Sequence, residues 1–473
     1  MDEIIDVYIQ NCIQDSYRKL KIKIVLVTGG DMQQVIRLNW TSYVDNHTTD
    51  NIEYDFWGGD ELAELYYKYL LNENLLLCDY RPMLRKTLVL LSEPSYNLNE
   101  YYVLFSKMLD SINNKKVKQR NKQIKACILV LKLVIHWAID ANNYKHAINI
   151  AEYSVLYFWN FIRQNNLFTD SAIMENFKII YTELCTLYIK NHNRFYNLYC
   201  FPDGMHGFTN SASPEAEGIA VFEQMGFLAM VGIFSISNML RSKNEKIISD
   251  ITNVCKSLKV LIENHRSLLN PLYDSHCIEI SLAAIVLYMC NETDFLFSWL
   301  SEISNHILFA YKILGKYFPV DSDSFRDLIM ENNKNKENFL RSSNLFYWLL
   351  EWMSFSENED LYKAVSENLS ATSTNVCVQQ WFPDEDSESK IYTTNAGFVT
   401  GYSQALHTFP KTLSEMKKVL DTKREKECSL SDFSCFQYGF PELLLLSSRH
   451  FRTPIVPDYV KQFVNDIKSV NEE

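Results

Sequence analysis

The sequence predicts a mostly α-helical protein with a small α/β unit at its amino end and a large helical domain of stacked αα-hairpins behind it. Two observations predict the front unit. Between Lys21 and Leu71, the extended runs Ile22–Val27 and Ile52–Trp57 each stop at a glycine turn, Thr28-Gly29-Gly30-Asp31 and Gly58-Gly59-Asp60. Each turn opens onto apolar residues at helical spacing, with Asp31 and Asp60 placed to cap. The third observation concerns the rest of the 473 residues. Only 13 Gly and 11 Pro punctuate a chain with 28 Tyr and 28 Phe, which favours long packed helices over a many-turned β protein.

Taken in order, residues 2–20 read as one amphipathic helix, then the strand Ile22–Val27, a helix Met32–Trp40, the strand Ile52–Trp57 and a helix Glu61–Leu71. Helices follow over Leu84–Ser92 and Asn99–Ile112, split by Glu93-Pro94. The unit is expected to span 1–112. The helical domain, 113–369, begins with Ile124–Ala141 and Lys145–Gln164 around the turn Asn142-Asn143-Tyr144. The string WAIDANNYKHAINIAEYSVL places the small residues Ala138, Ala147 and Ala151 where two helices can approach closely, although no second copy follows at a 34-residue period.

Further on, Ser171–Asn191 reads as a helix with Asp170 or Ser171 near its start. Ser213-Pro214-Glu215 opens one that runs to about Arg241, with a cap, a proline at the first position and an acid in the first turn. Lys246–Leu269 comes next, then a helix from Asn270-Pro271 to Cys290, then Glu292–Tyr317, Asp323–Glu331 and Asn335–Phe355. The last part, 370–473, is expected to be an irregular segment with short extended runs at Thr374–Trp381 and Ile391–Val399. The helices Leu413–Arg424, Pro441–Ser448 and one from Pro457 would pack on the helical domain. Core candidates are Ile22, Ile24, Leu26, Leu62, Leu65, Leu129, Leu133, Trp137, Ala147, Ala151, Leu228, Ile285, Leu349 and Leu445.

Composition bounds the function classes. The net charge is −12, which argues against a non-specific nucleic-acid coat because counterion release needs a basic surface. The eleven cysteines are scattered with no CxxC pair, so they read as reduced thiols in a cytoplasmic protein and not as a disulfide frame or a zinc site. The most apolar stretch, Gly226–Ile236, is too short for a bilayer span, so no membrane partner is expected.

Few groupings suggest chemistry. The basic cluster Lys115, Lys116, Lys118, Arg120 and Lys122 is a candidate nucleic-acid contact, while a solvated linker and first helical turn is the simpler reading. Thr28-Gly29-Gly30-Asp31 lacks both common phosphate-loop patterns. Asp203 with His206, and Asp274 with His276 and Glu279, resemble metal or acid–base groupings. Yet Asp274 and His276 would sit about 200° apart on one helix. Asp274 then reads as a dipole partner, and His276–Glu279 as a local pair, leaving no metal ligand set. Arg449, His450 and Arg452 could hold an anion, or anchor the end of the chain by bonding carbonyls or carboxylates of neighbouring helices, which is the favoured reading.

The run IVLVTGGDMQQ followed by IEYDFWGGDELAELYYKYLL resembles the trailing half of restriction-endonuclease-like domains of the Mrr type, in the PD-(D/E)XK superfamily. There a strand ending in a Thr- or Ser-Gly turn is followed by a helix, an edge strand and a W-D-G-D-x-L-like turn; here that turn is Trp57-Gly58-Gly59-Asp60-Glu61-Leu62. The string RHFRTPIVP resembles the tail of bacterial proteins that carry such a domain in front of helices and are associated with defence against phage or foreign DNA. In this superfamily an Asp, and a Glu or Gln two residues before a Lys, bind Mg²⁺ on strands that precede this stretch. The segment before Ile22 offers neither a strand nor a D-x-K or E-x-K pattern, so no catalytic residue carries over and no cofactor is assigned to this chain. Mg²⁺ would enter only if an upstream segment or a partner chain completed the nuclease core. The resemblance thus implies a bacterial cytoplasmic antiviral-defence protein, non-catalytic by itself, with DNA a possible partner and the helical body as sensor or interaction surface. The alternative is a helical scaffold for protein–protein contact with no nucleic-acid role.

Overall fold

The structure, a computed structural model, describes residues 20–28, 34–59, 61–62, 80–93, 95–112, 117–205, 213–242, 247–314, 318–331, 341–372, 376–393, 401–422, 427–456 and 459–460, with isolated positions besides. It is mostly helical with a few short strands. The chain divides into two compact units, 1–86 and 87–473.

In the first unit, β1 (Ile22–Val27) and β2 (Ile52–Trp57) form a two-stranded parallel sheet joined by the crossover helix α1 (Gln34–His47). Parallel pairing requires such a crossover. The register sets Ile24 opposite Tyr54, and both are buried. On the sheet, Lys23 reaches Asp55 at 2.8 Å. The hydrogen bond from Lys23 holds the Asp55 carboxyl below the usual range. α1 runs about two turns beyond the expected Trp40, since nothing in Thr41–His47 breaks a helix and Tyr43 stacks on His47 at 4.0 Å. Leu26, expected inside, is 38 % exposed, because burial on β1 falls off toward its end. The helices expected over 2–20 and Glu61–Leu71 lie largely outside the described residues.

The division near residue 86 falls inside α2 (Arg81–Leu90), earlier than the boundary expected at 112. The reason is α3 (Asn99–Asp110), which buries Tyr101, Leu104, Phe105, Met108 and Leu109 in the second unit and hydrogen-bonds Tyr101 to Ser154 at 2.7 Å. Next comes an αα-hairpin, α4 (Val117–Asp140) and α5 (Tyr144–Gln164), with Asn143 capping α5. Ala138, Ala147 and Ala151 are fully buried at this close approach. Trp137 is 39 % exposed instead of buried, sharing the last turns of α4 with the exposed His136–Asp140 pair. Asp170 caps α6 (Ser171–Tyr199) by accepting the N–H of Ala172 and Ile173.

α7 (Pro214–Ser242) is the one described helix long and apolar enough to cross a membrane, but 78 % of its most apolar window is buried inside the unit. It packs against α6, α8 (Ile247–Asn264) and α9 (Cys277–Met289). The approach is close enough that a Cβ at Gly232 would lie 2.8 Å from Val286. α10 (Thr293–Phe309), α11 (Phe325–Glu331), α12 (Leu345–Ser354) and α13 (Glu359–Thr372) follow. A three-stranded sheet is ordered β3 (Ser342–Ser343), β4 (Cys377–Phe382), β5 (Tyr402–Ala405), with β3–β4 parallel and β4–β5 antiparallel. Only part of the extended run expected at Thr374–Trp381 is therefore a strand, and Ser387–Ile391 is a short helix, α14. After α15 (Leu413–Asp421) and α16 (Ser434–Gln437), α17 (Glu442–Phe451) returns to the middle of the unit and packs on α5, α7 and α9.

One departure matters for the site. The helix expected from Asn270-Pro271 begins only at Cys277. Leu272 and Tyr273 are instead held extended, and Asp274–His276 form a 3-10 turn that leads into the helix. Tyr273 bridges Val320, the Asp274 N–H bonds Val320 O at 2.8 Å, and the Leu272 N–H donates to His276 Nδ1. This puts a short strap and the 318–323 loop beside the amino end of α9.

Candidate functional site

α5, α7 and α9 are buried on nearly every face, yet α5 carries Glu152 and α9 carries Glu279, both almost fully inside. A buried carboxylate is tolerated only when paired and hydrogen-bonded. α17 supplies the partners. Its acidic residue Glu442 stands in the first turn, and its basic residues stand in the last, the arrangement a helix dipole favours.

Arg449 and Tyr188 both donate to Glu152 Oε1, and His450 Nδ1 lies 2.9 Å from Glu152 Oε2. The Arg449 guanidinium also lies over the Phe227 ring, 4.0 Å from its centroid. Burial raises the Glu152 carboxyl, but Arg449 and His450 override it and hold the group below the usual carboxylate range. Three residues on, Arg452 forks onto Glu279, with further bonds from Nη2 to Ser275 O at 3.1 Å and Ser275 Oγ at 2.9 Å. Arg452 ends the helix in the left-handed region, φ 57°, and its fork offsets that backbone cost, about 1–2 kcal/mol. Gly226 on α7 makes room, since a Cβ there would sit 2.9 Å from Glu279 Cγ. A second network ties the start of α17. Glu442 Oε1 accepts from Arg241 and Tyr181, each at 2.6 Å.

Arg449, His450, Arg452 and Glu279 face a cavity of about 280 Å³. Its wall combines Arg449, His450 and Arg452 with Glu223, Glu279 and Asp323, and adds Tyr102, Tyr273, Asn149 and His276. Glu223 is paired with Lys145 at 2.8 Å. Asp323 accepts from Ser275 and stands 3.9 Å from Arg452 Nε. A second cavity of about 260 Å³ shares Arg452 and Asp323 with the first and brings in Asp274, Asp321, Gln379 and Trp381 from the strap, the loop and the small sheet. Carboxylates outnumber guanidinium groups in the two walls, and both arginines already face a carboxylate.

The residues singled out from the sequence distribute as follows. Arg449, His450 and Arg452 come together around buried carboxylates of α5 and α9, and all three line the first cavity. In the basic cluster, Lys118 and Lys122 are exposed on the first turns of α4, whereas Arg120 is bound to Asp170, the cap of α6. Lys115 and Lys116 lie outside the described residues, as does His206; Asp203 sits in a left-handed turn. The expected His276–Glu279 pair is replaced by Glu279–Arg452. His276 stacks on Phe222 at 4.1 Å and stays neutral, because burial and then Arg452 push its pKa well down.

Asp274, read as a partner of its own helix, instead caps α12. It accepts from Ser343 Oγ, the Asn344 N–H at 2.8 Å and the Leu345 N–H at 3.2 Å. Burial raises its pKa to about 6 against the lowering effect of those bonds. Among the described residues no group of three or more His, Cys, Asp or Glu is placed to hold a metal ion. Glu152 and Glu442 were not singled out. The signal for Glu152 was a single acid in a helix apolar on all faces, which demands a buried cation elsewhere. No family model matches this chain, and neither do curated proteins or solved structures.

Two outcomes test this geometry. Glu152→Gln leaves Arg449 buried and unpaired and is expected to cost about 3–5 kcal/mol of unfolding free energy. Adding Arg449→Met should recover a large part of that loss in a chemical-denaturation double-mutant cycle, whereas additive losses would contradict the pair. For Asp274, the unfolded carboxyl titrates near 4 and the folded one near 6. The folded state holds the extra proton between those values, so this group's contribution to stability falls as pH rises through the window and is constant above it. Relative to Asp274→Asn, the wild type should lose roughly 2 kcal/mol between pH 4 and pH 7. Parallel stability–pH curves would contradict it.

Proposed function

We propose that the second unit is a recognition body that takes a small, polar, amine-bearing molecule into the cavity beside Arg452, and that the first unit is a non-catalytic, nuclease-like platform. The observation that carries the first part is the polar wall. Side chains from α5, α7, α9, α17 and the 318–323 loop converge there, and buried ion pairs fix its arginines in place. Both guanidinium charges are paired with carboxylates and carboxylates outnumber them around the two cavities, so Asp323 and Asp321 favour a cationic guest over an anion.

The second part rests on the resemblance of Lys21–Leu71 to Mrr-type domains; the parallel strand–helix–strand unit is compatible with it. In this reading the chain belongs to a bacterial cytoplasmic defence system. The helical body senses a molecule, and any cleavage of DNA with Mg²⁺ depends on strands from an upstream segment or a partner chain. A scaffold reading rests on a different feature, the exposed Phe309, Ile313 and Leu314 at and just beyond the end of α10, which suit a protein partner.

Thermal unfolding with spermidine, arginine, inorganic phosphate and a nucleoside triphosphate separates these readings. The proposal expects an amine to stabilise the chain, by about 2.7 kcal/mol at a hundred times its dissociation constant, and Asp323→Asn to abolish the shift. Stabilisation by the anions alone, or by none of the four, would overturn it.

A further inference from the structure

We propose that Cys255 and Cys290 form a dithiol site that a peroxide converts to a disulfide, stapling α8 to the turn after α9. The site stands apart from the cavity. Ile251, Cys255 and Lys259 recur every four residues and therefore lie along one face of α8. All three meet the same short segment. The Cys290 Sγ points to Ile251 O at 4.0 Å, Cys255 and Cys290 share a side-chain hydrogen bond, and Lys259 Nζ binds Glu292 at 2.7 Å. The turn itself is fixed by the left-handed Asn291 and by the Glu292 N–H bonding Leu287 O at 3.0 Å. Both ends of the pair are thus held in register by contacts on either side.

The two thiols differ in a useful way. Cys255 is buried and Cys290 is partly exposed, so an oxidant reaches Cys290 first. The hydrogen bond from Cys255 pulls the Cys290 thiol below its usual range, and the same bond, with burial, pushes Cys255 up. The Cys290 thiolate attacks one oxygen of hydrogen peroxide and the O–O bond breaks. Hydroxide leaves and takes up the thiol proton as water, giving Cys290 sulfenic acid. The Cys255 sulfur then attacks the Cys290 sulfur, the S–O bond breaks, and the departing hydroxide carries off the Cys255 proton as a second water. The thiols lose two electrons and two protons, and the peroxide is reduced to two waters.

The test is peptide mass mapping of the full chain after hydrogen peroxide treatment, alkylation and digestion without reductant. The expected result is a cross-linked pair of peptides carrying Cys255 and Cys290, two hydrogens lighter than their sum and released by dithiothreitol. Alkylation of Cys290 should fall several-fold. In Cys255→Ser, Cys290 should stop at sulfenic acid and be captured by dimedone. Free, alkylated Cys255 and Cys290 after treatment of the wild type would overturn the proposal, as would Cys290 linked to any other cysteine.

Discussion

The second unit depends on one buried carboxylate. Glu152 lies fully inside α5, where an uncompensated charge would cost several kcal/mol. Arg449, His450 and Tyr188 converge on it, so residues nearly three hundred positions later in the chain are required where α5, α6 and α7 meet. Such a pair contributes less to net stability than to specificity: a chain that packs α17 elsewhere leaves both Glu152 and Arg449 stranded. Glu279 repeats the arrangement with Arg452, and Glu442 with Arg241 in the reverse sense, acid on α17 and base on α7. Three acid–base pairs therefore fix the position, direction and rotation of one ten-residue helix.

The cavity is a consequence of the same pairs. A segment that ended in apolar residues would close against α7 and α9. The last turn of α17 instead sends long side chains to the carboxylates, and the cavity is lined by Arg449, His450, Arg452 and Glu279. His276 and Asp274 fit the same logic. Each was a candidate for chemistry, and each is occupied in holding backbone: His276 accepts the Leu272 N–H, and Asp274 caps α12 from a distant part of the chain. The strap they fix brings Asp323 to the mouth of the site.

Much of this was legible in the sequence where local chemistry decides the outcome. The strands Ile22–Val27 and Ile52–Trp57 have the expected bounds, Asp170 caps α6, and Pro214 opens α7. The readings that failed were those decided by distant partners. Asn270-Pro271 has the look of a helix start, but the strap it begins is held extended by Val320 and His276. Trp137 and Leu26 are apolar at plausible core positions, and exposure there depends on which neighbours arrive. The RHFR segment showed that a cation cluster needed partners. Single acids in buried helices, Glu152 and Glu279, carry the matching signal, but the sequence reading passed over Glu152 and paired Glu279 with His276. Nothing local paired Arg449 with Glu152 in place of any other buried acid.

The central claim is that cations of the carboxy-terminal helix hold α5 and α9 through their buried acids. Amide hydrogen exchange on the full chain tests it most directly, comparing wild type with Arg449→Met and Arg452→Gln. The account predicts faster exchange in α5 around Glu152 for the first variant, and in the strap and first turns of α9 around Glu279 for the second, each well beyond α17 itself. Changes confined to residues 442–456 in both variants would contradict it.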